Sequence, residues 1–114
     1  MKKLTNSNSY HASPTDITWI SLDLETTGLS QDTDDIIEIG AVKFQGNNVI
    51  DTFQTMVNPH RTLDTFIKNY TGITQEDVDN APPFSEISHG LASFIGELPI
   101  LGHNIPFDLG FLKS

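Results

Sequence analysis

Two carboxylates, Asp23 and Glu25, follow a short apolar run in the segment 17–28, ITWISLDLETTG. Residues two apart on a strand point to the same face, so this pair is predicted to lie side by side where the strand leaves its sheet. Two carboxylates held that close repel each other unless a cation lies between them, and oxygen ligands suit a hard ion such as Mg²⁺ or Mn²⁺. The pair therefore indicates a divalent metal site, although a polar strand exit would show the same residues.

A third carboxylate, Asp108, lies in a second apolar stretch at 100–112, ILGHNIPFDLGFL. The stretch reads as a strand that turns at Gly102 into a helix, with Asn104 as its N-cap and Pro106 in its first turn. Asp108 would then lie near a strand end, as the first pair does. An aspartate at the start of a helix also interacts favourably with the helix dipole, so Asp108 alone does not establish a metal site.

Together the two stretches resemble the DnaQ-like exonucleases, also called the DEDD family. The first family motif, D-x-E-T-T-G, is present at 23–28, and the second, H-N-x-x-F-D-x-x-F-L, is present at 103–112. The resemblance runs from about Thr18 to the last residue, and it is strongest to the exonuclease domains of the Gram-positive type replicative polymerase and of DinG-like helicases. Three linking segments match in the same order: IIEIGAVKF at 36–44, VNPHRTL at 57–63 and YTGIT at 70–74.

This resemblance implies an α/β fold, a ribonuclease H-like mixed sheet with flanking helices. It implies hydrolysis of phosphodiester bonds from the 3′ end of nucleic acid, single-stranded DNA being favoured, in replication or repair. The implied cofactors are two divalent metal ions, Mg²⁺ or Mn²⁺. The implied partners are a nucleic-acid 3′ end and a polymerase or helicase region of the same polypeptide.

The resemblance also implies roles for individual residues. Asp23, Glu25 and Asp108 would be the catalytic residues and the metal ligands. The residues expected to contact the substrate are Thr26, Leu29, Tyr70, Thr71, Ile73 and Asn104.

In the family a third motif, a histidine followed five residues later by an aspartate, lies beyond the second motif, and no such pair follows the second motif in these 114 residues. Two of the four histidines have an aspartate at that spacing: His103, whose partner Asp108 belongs to the second motif, and His11, whose partner Asp16 lies before the first motif. Residues 16–114 therefore correspond to about the first two thirds of the family's domain, and we expect little activity from this chain alone. The alternative function is a module of the same fold that binds nucleic acid or protein without cutting it.

The composition is acidic, with 6 basic and 15 acidic residues and a formal net charge of −9. This sign is unfavourable for gripping nucleic acid through phosphate neutralisation, although bound metal ions could meet the phosphate instead. The chain has no cysteine, which excludes disulfides and cysteine-bound metal. Residues 1–15 are polar and predict a flexible tail rather than a signal peptide or membrane anchor, so a cytoplasmic location is expected.

The remaining pattern predicts the elements that position the site. Apolar residues of both parities in the first strand indicate a central strand that is covered on both faces. The segments 36–44 and 49–57 predict two further strands joined by a turn at 46–48, which makes an antiparallel meander. The segment 63–69 predicts at most a helical turn, and Thr74 caps a short helix. An amphipathic helix at 84–95, a strand at 98–101 and a second helix complete the order.

Overall fold

The computed structural model describes residues 16–102 and 105–113, with side chains for 16–102 and 108–112. One mixed sheet of four strands carries helices along its faces and ends. The predicted order of strand, strand, strand, helix, strand, helix is confirmed, and so is the short helix capped by Thr74. One further short helix precedes it. The elements are β1 (Thr18–Thr26), β2 (Ile36–Gln45), β3 (Asn48–Met56), α1 (Thr65–Thr71), α2 (Gln75–Asp79), α3 (Phe84–Ile95), β4 (Ile100–Gly102) and α4 (Ile105–Lys113).

The first strand is a central strand, as its sequence predicted. The strands lie in the order β3-β2-β1-β4, with β1 antiparallel to β2 and parallel to β4. Residues of both parities on β1 are buried, including Trp19 on one face and Ile20 and Leu22 on the other. Ser21 and Asp23, which share a face with Trp19, are exposed, so the expectation of cover on both faces is wrong beyond Trp19. The pairing of β1 with a strand on each side fixes the position of its carboxyl end.

β2 and β3 form the predicted antiparallel hairpin. Gly46 and Asn47 make the turn between them, and Gly46 has a positive φ of 58°. A glycine adopts this left-handed conformation without the steric cost that a Cβ would add. A register shift in the β1–β2 pairing lies between Glu25 and Thr26, where β1 leaves the sheet.

The main core lies between the sheet and α3. Ile87 and Leu91 of α3 pack with Ile20, Leu22 and Ile39 of the strands. Phe111 of α4 joins the same cluster and is 3% exposed, so α4 is anchored to the core one turn after Asp108. Each fully buried aliphatic side chain of this kind stabilises a fold by about 1.5–3 kcal/mol.

A second, smaller core anchors the two short helices. Ile37 of β2 packs there with Ile67 of α1 and Val78 of α2, together with Leu63 and Ile73. The segment 63–69, for which the sequence predicted at most a helical turn, is therefore the start of a true helix that is held by burial of Ile67. Among the described residues, no helix has the length and apolar character needed to cross a membrane.

Candidate active site

The carboxylates of Asp23 and Glu25 lie on one face of β1 at its carboxyl end. Asp23 is exposed and Glu25 is half-buried. Their cross-strand partners on β2 are Gly40 and Glu38. Gly40 has no side chain, so nothing on β2 covers Asp23 from that position. Glu38 instead adds a third negative charge next to Glu25.

Crowding of negative charge changes the proton affinity of this site. Partial burial, followed by the charges of Asp23 and Glu38, raises the pKa of Glu25 above its usual value. A carboxylate in this environment favours either a proton or a nearby cation. A positively charged ligand at this position would reduce the repulsion between the carboxylates.

Asp108 joins the pair from a different element. It lies on α4, it is 5% exposed, and its side chain lines the same cleft as those of Asp23 and Glu25. The parallel pairing of β4 with β1 places the start of α4 beside the carboxyl end of β1. The three carboxylates that the sequence singled out therefore line one cleft.

The donor set suits a hard divalent cation, because all three side chains offer carboxylate oxygen. In the part of the chain that the structure describes, no three acidic or histidine side chains converge tightly enough to form a complete metal site by themselves. Asp23, Glu25 and Asp108 are the candidate ligands in this cleft, and further ligands would come from water, substrate or other groups.

A tight turn follows the carboxylate pair and presents Leu29 to solvent. The Thr26 hydroxyl donates to the Gly28 carbonyl at 2.6 Å, which closes the turn. Thr27 is 8% exposed, and its hydroxyl donates to Asp34 at 3.0 Å. Leu29 is 85% exposed at the mouth of the cleft. Thr26 and Leu29 thus both line the cleft, and their contact with a substrate stays a prediction.

Helix α1 forms the opposite wall of the cleft. Asp64 caps its first turn by accepting from the Ile67 amide at 2.8 Å, and Gly72 ends it with a positive φ of 77°. Ile67 packs in the second core and also borders the cleft, so its burial holds α1 at this position. Tyr70 and Thr71 line the cleft from this helix, again where the sequence expected them.

Phe66 is a cleft residue that the sequence interpretation missed. Its ring stacks on that of Tyr70, with centroids 5.8 Å apart and an interplanar angle of 17°. Both residues are 72% exposed, so the two rings form a contiguous aromatic patch on the surface. The detectable signal was the spacing of four between two aromatic residues, which places both on one side of a helix.

Ile73 does not line the cleft. It is 3% exposed and packs in the second core, where it holds the end of α1. Its amide donates to the Thr71 hydroxyl at 3.1 Å, so Ile73 supports a cleft residue from behind. Asn104, the other expected substrate contact, lies outside the described residues.

The assembled cleft has a volume of about 550 Å³ and two chemically different walls. We define the acidic wall as Asp23, Glu25 and Asp108, and the aromatic wall as Phe66 and Tyr70. Such a cleft can hold a charged group with its cations on one side and a flat apolar group on the other.

Comparison with known families gives one match that covers most of the chain. A model of the RNase T family, described as an exonuclease, matches residues 20–114. The PolC-type DNA polymerase III of Bacillus subtilis is 40% identical over 106 residues, which cover 93% of this chain and 7% of that protein. The PolC-type DNA polymerase III of Thermotoga maritima is 41% identical over 98 residues, 86% of this chain and 7% of that protein. The resemblance predicted from the two motifs is thus confirmed.

Solved structures share the fold. An exonuclease I structure superposes with a TM-score of 0.73 at 23% identity, and covers 85% of this chain and 24% of the other. A 3′-exonuclease solved in a study of histone mRNA stem-loop recognition gives a TM-score of 0.62 at 26% identity, covering 75% of this chain and 33% of that one. These similarities confirm the predicted ribonuclease H-like sheet with flanking helices.

Proposed function

This chain belongs to the RNase T-type exonuclease family, and on that premise we propose that it forms part of a metal-dependent 3′–5′ exonuclease. Its substrate would be the 3′ end of nucleic acid, with single-stranded DNA favoured. The observation that carries the proposal is the cleft itself, in which an acidic wall faces an exposed, stacked aromatic pair. A phosphodiester flanked by a base matches this division into a charged side and a flat apolar side.

Asp23, Glu25 and Asp108 would hold two divalent ions, Mg²⁺ or Mn²⁺. When bound, such ions supply activation of water and stabilisation of the leaving oxygen. Burial, followed by the charges of Asp23 and Glu38, raises the pKa of Glu25, and a bound cation would offset the repulsion from these two charges.

The aromatic wall would orient the terminal nucleotide. Stacking of a base on an aromatic ring contributes about 1–3 kcal/mol and tolerates any base. Phe66 and Tyr70 would provide this platform, with Leu29 closing the mouth and the Thr26 and Thr71 side chains at its edges. A stacked base would place its phosphate towards the carboxylates, which is the positioning that hydrolysis requires.

The physiological setting would be DNA replication in the cytoplasm, with a polymerase region in the same polypeptide as the partner. The PolC-type relatives support this setting, and the chain spans 7% of their length. The third family motif is not present in these 114 residues, and loss of a general base typically costs about a hundred- to ten-thousand-fold in rate. We therefore expect slow hydrolysis by this chain alone.

A non-catalytic binding module is the second candidate function. It is favoured by the lack, within the described residues, of three side chains arranged as a complete metal site. Its cleft would still bind a nucleic-acid end or a peptide, but no cation would be needed.

Binding of a short single-stranded DNA that carries 2-aminopurine tests the proposal. Stacking on the aromatic wall should quench the fluorescence of a 3′-terminal 2-aminopurine, whereas the same base at the 5′ end should keep its emission. Addition of Mn²⁺ should tighten this binding. Equal quenching at both ends, or binding that is indifferent to Mn²⁺, would support the non-catalytic module instead.

A further inference from the structure

Arg61 connects the two sides of the cleft through its side chain. One of its guanidinium nitrogens, Nη1, donates to the Thr33 carbonyl at 2.7 Å and to an Asp35 carboxylate oxygen at 3.2 Å. The other, Nη2, lies 3.7 Å from a carboxylate oxygen of Asp34. Three acceptors of the loop 27–35 therefore meet one planar cation.

Asp34, which pairs with Arg61, also hydrogen-bonds to the turn after β1. Its two carboxylate oxygens accept from the Thr27 hydroxyl and from the Ser30 amide, each at 3.0 Å. A Cβ at Gly28 would collide with the same carboxylate, so the turn and Asp34 are packed against each other. The turn that presents Thr26 and Leu29 to the cleft is thus fixed by Asp34, and Asp34 is in turn held by Arg61.

The backbone of Arg61 belongs to the opposite side of the cleft. Its carbonyl accepts from the Gln75 side chain at 3.2 Å, and the Gln75 side-chain oxygen accepts from the Leu63 amide at 2.7 Å. The next residue, Asp64, caps α1. The segment 61–64 therefore fixes where α1 begins, and with it the position of Phe66 and Tyr70.

We propose that Arg61 is a positioning residue that sets the separation between the turn 26–30 and α1, and so the width of the cleft. The proposal rests on the proposed function only in treating this cleft as the place where a nucleotide binds. Arginine suits the role because its planar fork reaches several acceptors at once, which a lysine ammonium on a flexible stem cannot reproduce in fixed geometry.

Global stability does not explain these contacts. The Arg61 side chain is 41% exposed, its partner Asp34 is 18% exposed and Asp35 is 49% exposed. Ion pairs this open to solvent contribute little to folding. Replacement of Arg61 should therefore change the geometry of the cleft much more than it changes the melting temperature.

A distance measurement across the cleft tests the proposal without any ligand. The chain has no cysteine, so cysteines introduced at the exposed positions Ser30 and Asn69 can be labelled selectively with nitroxide spin labels. Electron–electron distance measurements are then made in this background with Arg61, Arg61→Gln, Arg61→Lys and the charge control Lys68→Gln. Lys68 lies on α1 and does not line the cleft.

We expect a narrow distance distribution with Arg61 and with Lys68→Gln, a distribution broadened by several ångströms with Arg61→Gln, and an intermediate one with Arg61→Lys. Tm should fall by no more than about 3 °C in any of these variants. Superimposable distributions for Arg61 and Arg61→Gln would overturn the proposal. A fall in Tm of about 10 °C or more in Arg61→Gln would also overturn it, because Arg61 would then be supporting the fold rather than the cleft.

Quenching of a 3′-terminal 2-aminopurine separates this inference from the proposed function. If the cleft binds a nucleotide, Arg61→Gln should lose at least half of the quenching and bind about fivefold more weakly, while Lys68→Gln behaves as the wild type. If the wild type itself shows no quenching but Arg61→Gln still broadens the distance distribution, the proposed function fails and the positioning role of Arg61 stands.

Discussion

The two walls of the cleft are held in place by different means. The acidic wall is built mainly on β1, which pairs with strands on both sides and buries Ile20, Leu22 and Leu24 in the main core. The aromatic wall is built on α1, a helix of seven residues in which Ile67 is the buried residue. The carboxylates thus have a rigid support, whereas the position of the aromatic rings depends on caps, on one buried side chain and on the Arg61 contacts. Charge needs fixed geometry to hold a cation, and stacking tolerates more variation.

The largest effect should come from breaking the acidic wall. At about 100 times its Kd, Mn²⁺ should stabilise the wild type by about 2.7 kcal/mol, which corresponds to a rise in Tm of about 10 °C. Asp23→Ala should abolish that rise, and Asp51→Asn, an exposed change on β3, should keep it. The measurement is a thermal melt with and without Mn²⁺. If Mn²⁺ raised the Tm of Asp23→Ala as much as that of the wild type, the metal would not bind at the acidic wall.

Removing a ring from the aromatic wall should weaken nucleic-acid binding without changing metal binding. Phe66→Ala and Tyr70→Ala should each weaken binding of a single-stranded oligonucleotide by about 1–3 kcal/mol, or about 5- to 150-fold, and should leave the Mn²⁺-induced rise in Tm intact. Ile50→Ala is the control, because Ile50 is also an exposed apolar residue (53%) but lies on β3. Fluorescence anisotropy gives the affinities. Equal losses in Ile50→Ala and Phe66→Ala would contradict a specific platform.

Gly28 and Gly40, which both lie close to the acidic wall, should differ in how much an added methyl group changes the free energy of unfolding. A methyl group at Gly28 would lie 2.7 Å from the Asp34 carboxyl carbon, whereas one at Gly40 would meet its nearest atom, the Asp23 carbonyl oxygen, at 3.8 Å. Gly28→Ala should therefore cost about 1–3 kcal/mol of unfolding free energy, because Thr27, Ser30 and Arg61 restrain Asp34.

Gly40→Ala should be neutral or slightly stabilising. The added methyl group meets no close neighbour in the folded state, and alanine lowers the conformational entropy of the unfolded chain relative to glycine. Urea denaturation of both variants measures the difference. Equal destabilisation of the two would show that the turn yields to an added methyl group and is not tightly held.

The smallest effect should be a pH-dependent change at Glu25. Burial and the neighbouring charges raise the pKa of Glu25 above 4.5 in the folded state, so its ionisation begins to oppose folding as the pH rises above 4.5, and the full penalty is reached above the folded-state pKa. Without metal, Glu25→Gln should raise Tm at pH 7, and this gain should vanish as the pH falls below 4.5, where Glu25 is protonated in both states.

Glu86→Gln makes the same side-chain change on α3 and serves as the control. Melts from pH 4 to pH 8 provide the measurement. A gain that grows as the pH falls would have the wrong sign and would contradict the raised pKa.

Elements with a long sequence pattern were predicted correctly, and helix α1, whose pattern is short, was not. The central strand and the 84–95 helix were predicted correctly, because a run of apolar residues of both parities and a helical repeat are each carried within one segment. Helix α1 was not predicted as a helix, since seven mixed residues give too short a periodicity. It forms because burial of Ile67 in the second core offsets its weak intrinsic preference.

The residues that line the cleft were also predicted only in part. Thr26, Leu29, Tyr70 and Thr71 line it as expected, but Ile73 is buried and Phe66 was missed. An apolar residue beside a turn faces either the cleft or the core, and packing decides which. The sequence around Tyr70 indicates an apolar contact without specifying which neighbour provides it.

The sequence by itself determined the acidic pair, the strand that carries it and the family, because these depend on residue types at short spacing. Only the tertiary structure brought Asp108 beside β1 and joined the two walls through Arg61. Parallel pairing of β4 with β1 and the ion pairs of Arg61 link residues that are far apart in the chain. Such contacts follow from how packed elements meet in space, which no local pattern of residues encodes.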